Sequence, residues 1–424
     1  MKVEFWSKEK IAAFQEIKLK ETLNYVNENS AFYKRQFKDF DLNSINALTD
    51  LQKLPFTTKE DLQQYNSDFL CVPLNKVVDY ATTSGTSGTP VSFALTDSDL
   101  ERIGYNEAES LKCSGIEKGD VVQLMTTIDR QFMAGLAYFL GLRKLGATVI
   151  RVGAGIPELQ WDAILRYKPA YLITVPSFLI KMIDYAENVG IDYKNCGIKG
   201  AVCIGEPLRQ QDFSPNNITS RILSRWDLKL YSTYASTEMS TAFAECSAMQ
   251  GGHHLPELII VEIIDENGNL ITDGSPGELV VTTLGVEAMP LVRFKTGDIV
   301  QAHEEECTCG RTTLRLGPVI GRKQQMIKYK GTTLYPPAMN NLLNGFDQIQ
   351  NHLIEISTNE LGTDEITLYL AVQSPTDEFL TQIRDHFRAK LRVSPRIEFL
   401  PLEVLNEKVF LPKSRKPRQF IDLR

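Results

Sequence analysis

Residues Thr82 to Pro90 read Thr-Thr-Ser-Gly-Thr-Ser-Gly-Thr-Pro, hydroxyl side chains interleaved with two glycines directly after a β-like run. Such a loop offers backbone N–H groups and hydroxyls to phosphate oxygens without bulk. It is not a Walker A loop, because no Gly-Lys-Ser/Thr follows. A flexible Ser/Gly turn is the plainer reading. Pro90 and the apolar residues on both sides argue against a disordered linker. A second group has the chemistry of a metal site. Cys307-x-Cys309 sits on a turn beside Gly310, and Cys246 precedes the His253–His254 pair by seven residues. Three thiolates and one imidazole complete a tetrahedral zinc set, closed to substrate and therefore structural. Soft and borderline ligands of this kind favour zinc over magnesium or calcium. Two free thiols are the alternative for Cys-x-Cys alone. Cys71, Cys113, Cys196 and Cys203 read as core cysteines.

The elements that must position these groups follow from hydrophobic period. The first 40 residues are charged and helix-like, and LPFTTKEDL (54–62) contains a helix start at Thr58 with Asp61 behind it. VVQLMT (121–126), ATVIRV (147–152), AYLITV (170–175), GAVCIG (200–205) and LKLYSTY (228–234) read as buried parallel strands. MAGLAYFLGLRKL and PSFLIKMIDYAENV read as crossover helices. This order predicts an α/β fold with a parallel sheet. LIIVEIID, GELVVTTL and PLVRFKTGDIV, joined by Gly/Asn turns, predict a strand-rich antiparallel or barrel-like subregion. A boundary falls near residue 321. Beyond it a helix over 337–346, strands HLIEIST and EITLYLAV, helix DEFLTQIRDHFRAKL and strand RIEFL predict a small α+β domain. The expected organisation is therefore residues 1–321 and 322–424.

Composition bounds the partners. The 424 residues include 46 basic and 53 acidic side chains, a net charge of −7. No general polyanion-binding surface follows, which disfavours nucleic acid as a partner. With 43% hydrophobic and 23% charged residues the chain has ordinary globular values. The apolar stretch Gln131–Leu142 stops at Arg143, short of the roughly 20 residues that span a bilayer. The start MKVEFWSKEK has no secretory pattern. Seven scattered cysteines fit a reducing compartment, so a cytoplasmic protein is expected. The last residues carry a basic run, Lys408, Lys413, Arg415, Lys416, Arg418 and Arg424, suited to a solvated tail or to polyphosphate contact.

Four ordered motifs carry a resemblance. TTSGTSGTP is similar to the phosphate-binding loop of the adenylate-forming superfamily of acyl-CoA synthetases. YASTE (234–238) resembles its Tyr-Gly-x-Thr-Glu with Ala235 in place of Gly. RFKTGD (293–298) and GRKQQMIKYKG (321–331) resemble its Thr-Gly-Asp and hinge motifs. LPFTTKEDL, GEPL (205–208), the Cys-x-Cys-Gly-Arg at 307–311 and the ending FIDLR resemble the phenylacetate-CoA ligases within it. The resemblance covers nearly the whole chain and implies a large N-terminal domain with a small mobile C-terminal lid.

It also implies roles. Thr83, Ser84, Gly85, Thr86, Ser87 and Gly88 would cradle phosphates, with Gly205, Glu206 and Pro207 at the nucleotide. Tyr234 would give adenine a flat face, Thr237 would donate to the α-phosphate, and Glu238 would hold Mg2+, a hard oxygen-seeking ion. A surface acid is the plainer reading of Glu238, and a turn Asp that of Asp298. Asp298 would bind the ribose hydroxyls and Arg322 the nucleotide. The family's catalytic lysine falls on Lys416 by alignment to the chain end, with Lys413 as the alternative, because the usual Gly is missing. The pivot falls at 322–326 with Lys323 and Gln324, and Gln324 replaces the usual acidic or lysine side chain. The resemblance places the zinc histidine at His253 rather than His254. Phe132, Gly135, Phe178 and Ile204 are candidates for the acyl pocket, with plain core packing as the alternative for each.

These implications make the chain an enzyme that uses ATP, Mg2+ and coenzyme A to turn an aryl carboxylic acid, phenylacetate first, into its CoA thioester. A structural Zn2+ is expected beside them, no nucleic acid or membrane partner is, and a homodimer is compatible. Transfer to a carrier-protein phosphopantetheine is one alternative. A non-catalytic nucleotide-binding protein is the other, disfavoured by the presence of Glu238 and the C-terminal lysines.

Overall fold

Short runs of Val, Ile and Leu separated by helix-length intervals can bury both faces only as parallel strands joined by crossover helices. The computed structural model describes residues 2–83, 90–329, 332–359, 363–411 and 417–424. Two compact units result. One comprises Met1–Pro215, Thr219–Thr296 and Val300–Pro318, the other Asn216–Ile218, Gly297–Ile299 and Val319–Arg424.

The larger unit begins with α1 (Lys8–Asn29), α2 (Ala31–Gln36) and α3 (Lys59–Gln64). A hairpin of β1 (Asp79–Thr82) and β2 (Ser92–Leu95) and the helix α4 (Asp97–Cys113) follow. Strand and helix then alternate: β3 (Val121–Leu124), α5 (Met133–Leu145), β4 (Thr148–Arg151), α6 (Pro157–Tyr167), β5 (Tyr171–Thr174), α7 (Pro176–Val189), β6 (Gly200–Cys203), α8 (Asn217–Arg225) and β7 (Lys229–Ser236). The strands pair in parallel in the order β7-β6-β5-β3-β4. Helices α5 and α7 have the expected ends for local reasons. Gly146 and Gly190 cap them in the left-handed region at φ +85° and +77°, and Pro176 opens α7.

The chain continues as β8 (Thr241–Glu245), β9 (Gly252–His253), β10 (Ile259–Ile264), β11 (Gly277–Thr283), β12 (Phe294–Val300), β13 (Ala302–His303) and β14 (Arg315–Leu316). Strands β8, β9, β14 and β13 extend the parallel sheet beyond β7 with antiparallel neighbours, giving nine strands. Strands β10 and β11 pair antiparallel as the Gly/Asn turns predicted.

Helix α4 buries polar side chains beside the apolar Ile103, Ala108 and Leu111. Its buried side chains include Asp99, Arg102, Asn106, Glu107 and Glu109. Thr96 and Asp99 form a capping box at its start. Arg102 donates to the carbonyls of Leu284, Ser240 and Leu258 at 2.8, 2.7 and 2.6 Å. Packing against α5 is close enough to require glycine. A Cβ on Gly141 would lie 2.3 Å from Glu107 Cβ, and one on Gly135 1.8 Å from the carbonyl oxygen of Thr127.

The smaller unit holds β15 (Gly321–Arg322), β16 (Ile327–Tyr329), β17 (Thr332–Leu334), α9 (Pro336–Leu343), β18 (Ile349–Thr358), β19 (Asp364–Val372), α10 (Asp377–Leu391), β20 (Arg396–Phe399), α11 (Leu402–Val409) and β21 (Phe420–Asp422). A sheet ordered β20-β19-β18-β21 packs Ile354, Ile356, Leu368 and Leu370 with Ile383 and Phe387 of α10. The helix expected over 337–346 is shorter. Gly345 N and Phe346 N turn back to the carbonyls of Leu342 and Leu343, a tightening that ends it. No helix among the described residues is long and apolar enough to cross a membrane.

Burial pushes the Glu107 carboxyl up to about 8, and its Oε2 has no partner among the described residues. The folded chain therefore holds a proton there that the unfolded chain, with an ordinary value near 4.5, has released. Stability from this site falls as pH rises from about 4.5 to about 8. Glu107→Gln keeps the shape without the proton. Its melting temperature relative to the parent should climb from near equality at about pH 5 to a clear excess at about pH 9. A pH-independent difference would show that Glu107 ionises as easily folded as unfolded.

Candidate active site and cysteine cluster

In an open parallel sheet ligands bind outside the carboxyl ends of the strands, where the strand order reverses. Here the order β4-β3-β5-β6-β7 reverses between β3 and β5. Thr126 and Thr174 flank that point, and their buried hydroxyls have no partner among the described residues. Sequence reasoning assigned them nothing. Their signal is a threonine at the end of an otherwise apolar strand.

Gly205, Glu206 and Pro207 leave the sheet at the end of β6, with Gly205 at φ +76°. The Glu206 carboxylate accepts from Ser177 N at 2.9 Å and Ser177 Oγ at 2.7 Å. It thus closes the positive N-terminus of α7. Strand β7 runs four residues past Ser232, the partner of β6's last residue Cys203, and carries Tyr234 near its end. Thr237 and Glu238 follow on the turn, both half-buried. Tyr234, Phe243 and His254 form a tilted aromatic series at 5.9 and 5.6 Å. Thr83 is buried, and its Oγ1 accepts from Val91 N at 3.0 Å. This closes the neck of the loop whose members Ser84, Gly85, Thr86, Ser87 and Gly88 lie outside the described residues. Lys413 and Lys416 lie outside them too.

Asp298 and Arg322 belong to the smaller unit. They are antiparallel partners, and Arg322 Nε donates to Asp298 Oδ1 at 3.3 Å. Lys323 and Gln324 follow in a 3-10 turn. Gly321 is dictated by packing, since a Cβ would meet the Tyr335 ring at 2.3 Å.

The acyl-pocket candidates divide. Phe132 lines a partly open cavity of about 110 Å3 with Tyr80, Leu95, Leu100, Ile128 and Met133. Gly135, Phe178 and Ile204 are not among its lining. Gly135 serves the close approach of α5 to Thr127, and Ile204 sits in the core cluster with Val202 and Tyr138. For these two, packing accounts for the residue type.

Cys246, His253, Cys307 and Cys309 converge, with ligand atoms all within 4.8 Å of one another. Cys246 Sγ lies 3.6 Å from Cys307 Sγ, and Cys309 Sγ 3.5 Å from His253 Nε2. Pairing of β9 with β8 and β14 brings these segments together. Burial, helped by Arg311 and Arg315, holds the His253 imidazole down at about 3, so it is neutral at pH 7. Its Nδ1 faces Thr313 Oγ1 at 3.0 Å, leaving Nε2 to the sulfurs. Burial alone would raise the Cys309 thiol. Hydrogen bonds from Arg311, whose Nη1 lies 3.6 Å from the sulfur, and from the neighbouring thiols outweigh it and lower it. His254 lies outside the cluster, against Phe243. Arg311 was legible as the residue after Cys-x-Cys-Gly but had been given no role. Glu4 and Phe5 flank its guanidinium.

A family of AMP-binding enzymes is described by a model that matches residues 44–288, more than half of the chain. The chain belongs to that family. The phenylacetate-coenzyme A ligase of Thermus thermophilus is 30% identical over 375 residues, 87% of this chain and 83% of that protein. The phenylacetate-coenzyme A ligase of Escherichia coli K12 is 28% identical over 372 residues, 85% of this chain and 82% of that protein. Among solved structures, 2-hydroxyisobutyryl-CoA ligase in the postadenylation state with 2-HIB-AMP superposes with a TM-score of 0.87. It shares 24% identity and covers 100% of this chain and 91% of that one. At that identity the likeness establishes the fold: a large α/β domain followed by a smaller C-terminal one.

Arg293, first residue of RFKTGD, has a role that sequence reasoning missed. It is 1% exposed and holds Glu262 with Nε and Nη2 at 3.1 and 2.9 Å. Its Nη1 donates to Leu54 O at 2.6 Å, and the guanidinium stacks on Phe56 at 4.1 Å. LPFTTKEDL is thereby tied to the strand that carries the Thr-Gly-Asp motif. Arg293→Met leaves Glu262 buried and unpaired, and should cost about 3–5 kcal/mol of stability. Denaturant unfolding checks this. A cost under about 1 kcal/mol would show a pair that is in effect solvated.

Proposed function

We propose that the chain activates an aryl carboxylic acid with ATP and passes it to coenzyme A. The observation that carries this reading is the placement of Gly205-Glu206-Pro207 and Tyr234–Glu238 on the carboxyl ends of adjacent parallel strands. The names of the relatives and the aromatic Phe132 in the cavity lining support an aryl acid, with phenylacetate first. In the first step a carboxylate oxygen bonds to the α-phosphorus and the bond to pyrophosphate breaks. The protein's part is to hold the reactants in line and meet the growing phosphate charge. Tyr234 offers adenine a face, Thr237 donates to the α-phosphate, and the 83–88 loop wraps the departing phosphates. Asp298, accepting from Arg322, is suited to ribose hydroxyls. Mg2+ bound with the triphosphate would neutralise charge, and Glu238 is the carboxylate placed to hold it. Lys416, or Lys413, would add positive charge in this step only. In the second step the CoA sulfur bonds to the acyl carbon and AMP leaves. Residues 322–326 are the proposed pivot between the two steps.

The cysteine cluster fits a structural zinc. Tetrahedral Zn–S and Zn–N bonds of about 2.3 and 2.0 Å imply S···S near 3.8 Å and S···N near 3.5 Å. The 3.6 Å and 3.5 Å separations match these. A neutral imidazole with Nε2 free is the form that ligates, and the Thr313 hydroxyl fixes that orientation. Arg311 offsets the excess thiolate charge. The metal would staple the acid-rich 303–306 turn, which has little apolar surface of its own, to β9.

Three measurements test these readings. ATP-dependent pyrophosphate release, across phenylacetate, benzoate, acetate and palmitate, should be greatest in kcat/KM for phenylacetate. A higher value for palmitate would remove the aryl assignment. Thioester formation with a holo-carrier protein but not with CoA would remove the acceptor. Untagged protein purified without added metal should hold about one zinc per chain. Cys309→Ser and His253→Ala should lose it and melt lower, while His254→Ala should keep it. Zinc well below one equivalent in the parent protein would sink the site.

A further inference from the structure

The last residue before the GEPL loop turns back into the protein is Arg209, and its guanidinium does not reach solvent. Its side chain is 7% exposed and that of Glu245 3%. Nε donates to Glu245 Oε1 at 2.7 Å and Nη2 to Glu245 Oε2 at 3.1 Å. Each partner also takes a backbone group of β7. Arg209 Nη2 donates to Leu230 O at 3.0 Å, and Glu245 Oε2 accepts from Ser232 N at 2.9 Å. Ser232 is where β6 ends and the loop departs.

We infer that Arg209 and Glu245 are positioning residues that set the nucleotide loop 205–208 against β7 at Leu230 and Ser232, level with the end of β6. The inference rests on the adenylation reading above. Three segments that must agree in space meet at this one pair: the loop through Arg209, β7 through two backbone groups, and β8 through Glu245. A guanidinium–carboxylate fork has fixed planar geometry, so it specifies distance and angle as an apolar contact would not. Stability alone gives little reason for it. A buried pair costs desolvation, and well-packed apolar residues of similar volume often do as well or better. The loop is otherwise held at its start by Glu206 on Ser177, and at Leu208 by Thr219 Oγ1 on its carbonyl at 2.7 Å. Removing the pair leaves Glu206 and Leu208 as the loop's anchors and releases the chain beyond Leu208, so the loop can shift relative to β7. The loss should fall on the nucleotide and not on the acid.

The test separates positioning from stability. Glu245→Gln keeps volume but weakens the fork. The double variant Arg209→Met with Glu245→Leu replaces the pair by apolar side chains. Steady-state pyrophosphate release is measured with ATP and acid varied separately, beside thermal unfolding. In both variants the KM for ATP should rise about tenfold or more, with the KM for the acid changed less than about twofold. The double variant leaves Leu230 O and Ser232 N unpaired, so it should fold cooperatively and melt only a few degrees below the parent. A double variant with the parent's KM for ATP overturns the inference. Equal rises in both KM values, or a double variant that does not fold, overturn it too, because the pair would then hold the sheet and not the loop. A parent protein that releases no pyrophosphate with any acid is a different failure. It removes the adenylation reading and with it this one.

Discussion

Parallel pairing of β3, β5, β6 and β7 obliges every loop that leaves a strand's carboxyl end to open on the same edge of the sheet. That constraint gathers residues far apart in sequence: Thr126, Thr174, Gly205 and Tyr234 each follow or finish one of these strands. The unequal strand lengths then shape the edge. β6 has four residues and β7 eight, so β7 projects beyond its neighbour and carries Tyr234 over the step. The loop at that step has glycine at φ +76°, a conformation few other residues adopt without strain.

Around this edge the larger unit uses buried guanidinium groups where apolar contact would leave freedom. Arg102 gathers three carbonyls, Arg209 a carboxylate and a carbonyl, Arg293 a carboxylate, a carbonyl and an aromatic face. Each joins segments more than twenty residues apart and satisfies backbone groups that would be costly to bury alone. The cost is desolvation, seen in Arg102, whose guanidinium burial pulls down to about 10. A site assembled from distant loops gains from such forks because their geometry is fixed, whereas a leucine can slide.

The parts legible in the sequence are those where one physical rule acts alone. Strands β5 and β6 are buried throughout and read as plain hydrophobic runs, and β3 departs from one only at Gln123. Helices α5 and α7 have glycine after the last turn, and proline opens α7. Cys-x-Cys and the two histidines stood out because thiols and imidazoles are scarce. Helix α4 was harder to read because Asp99, Arg102, Asn106 and Glu107 are buried among Ile103, Ala108 and Leu111, which breaks the hydrophobic period. Strands β9 and β14, two residues each, exist through pairing and not through any local preference. The choice between His253 and His254 rests on the same register. Alternation sends adjacent side chains to opposite faces of a strand, and only the fold decides which face holds the sulfurs.

Two kinds of ligand chemistry share one sheet and are kept apart by β8. Glu238 stands on the turn before that strand and Cys246 just after it. Five extended residues separate the ends by roughly 17 Å. Glu238, proposed to hold magnesium, stands at the carboxyl edge of the sheet, and Cys246, Cys307, Cys309 and His253 gather at the other end of β8, Cys246 and Cys307 buried. Under the proposed roles, a divalent ion arriving with a nucleotide would meet carboxylate and hydroxyl oxygens, which suit magnesium. An ion that prefers sulfur finds three thiols and a neutral imidazole elsewhere. Segregation of this kind needs no gate. It follows from putting hard and soft side chains at opposite ends of one short strand, and under the proposed roles the same β7–β8 pair would serve chemistry at one end and rigidity at the other.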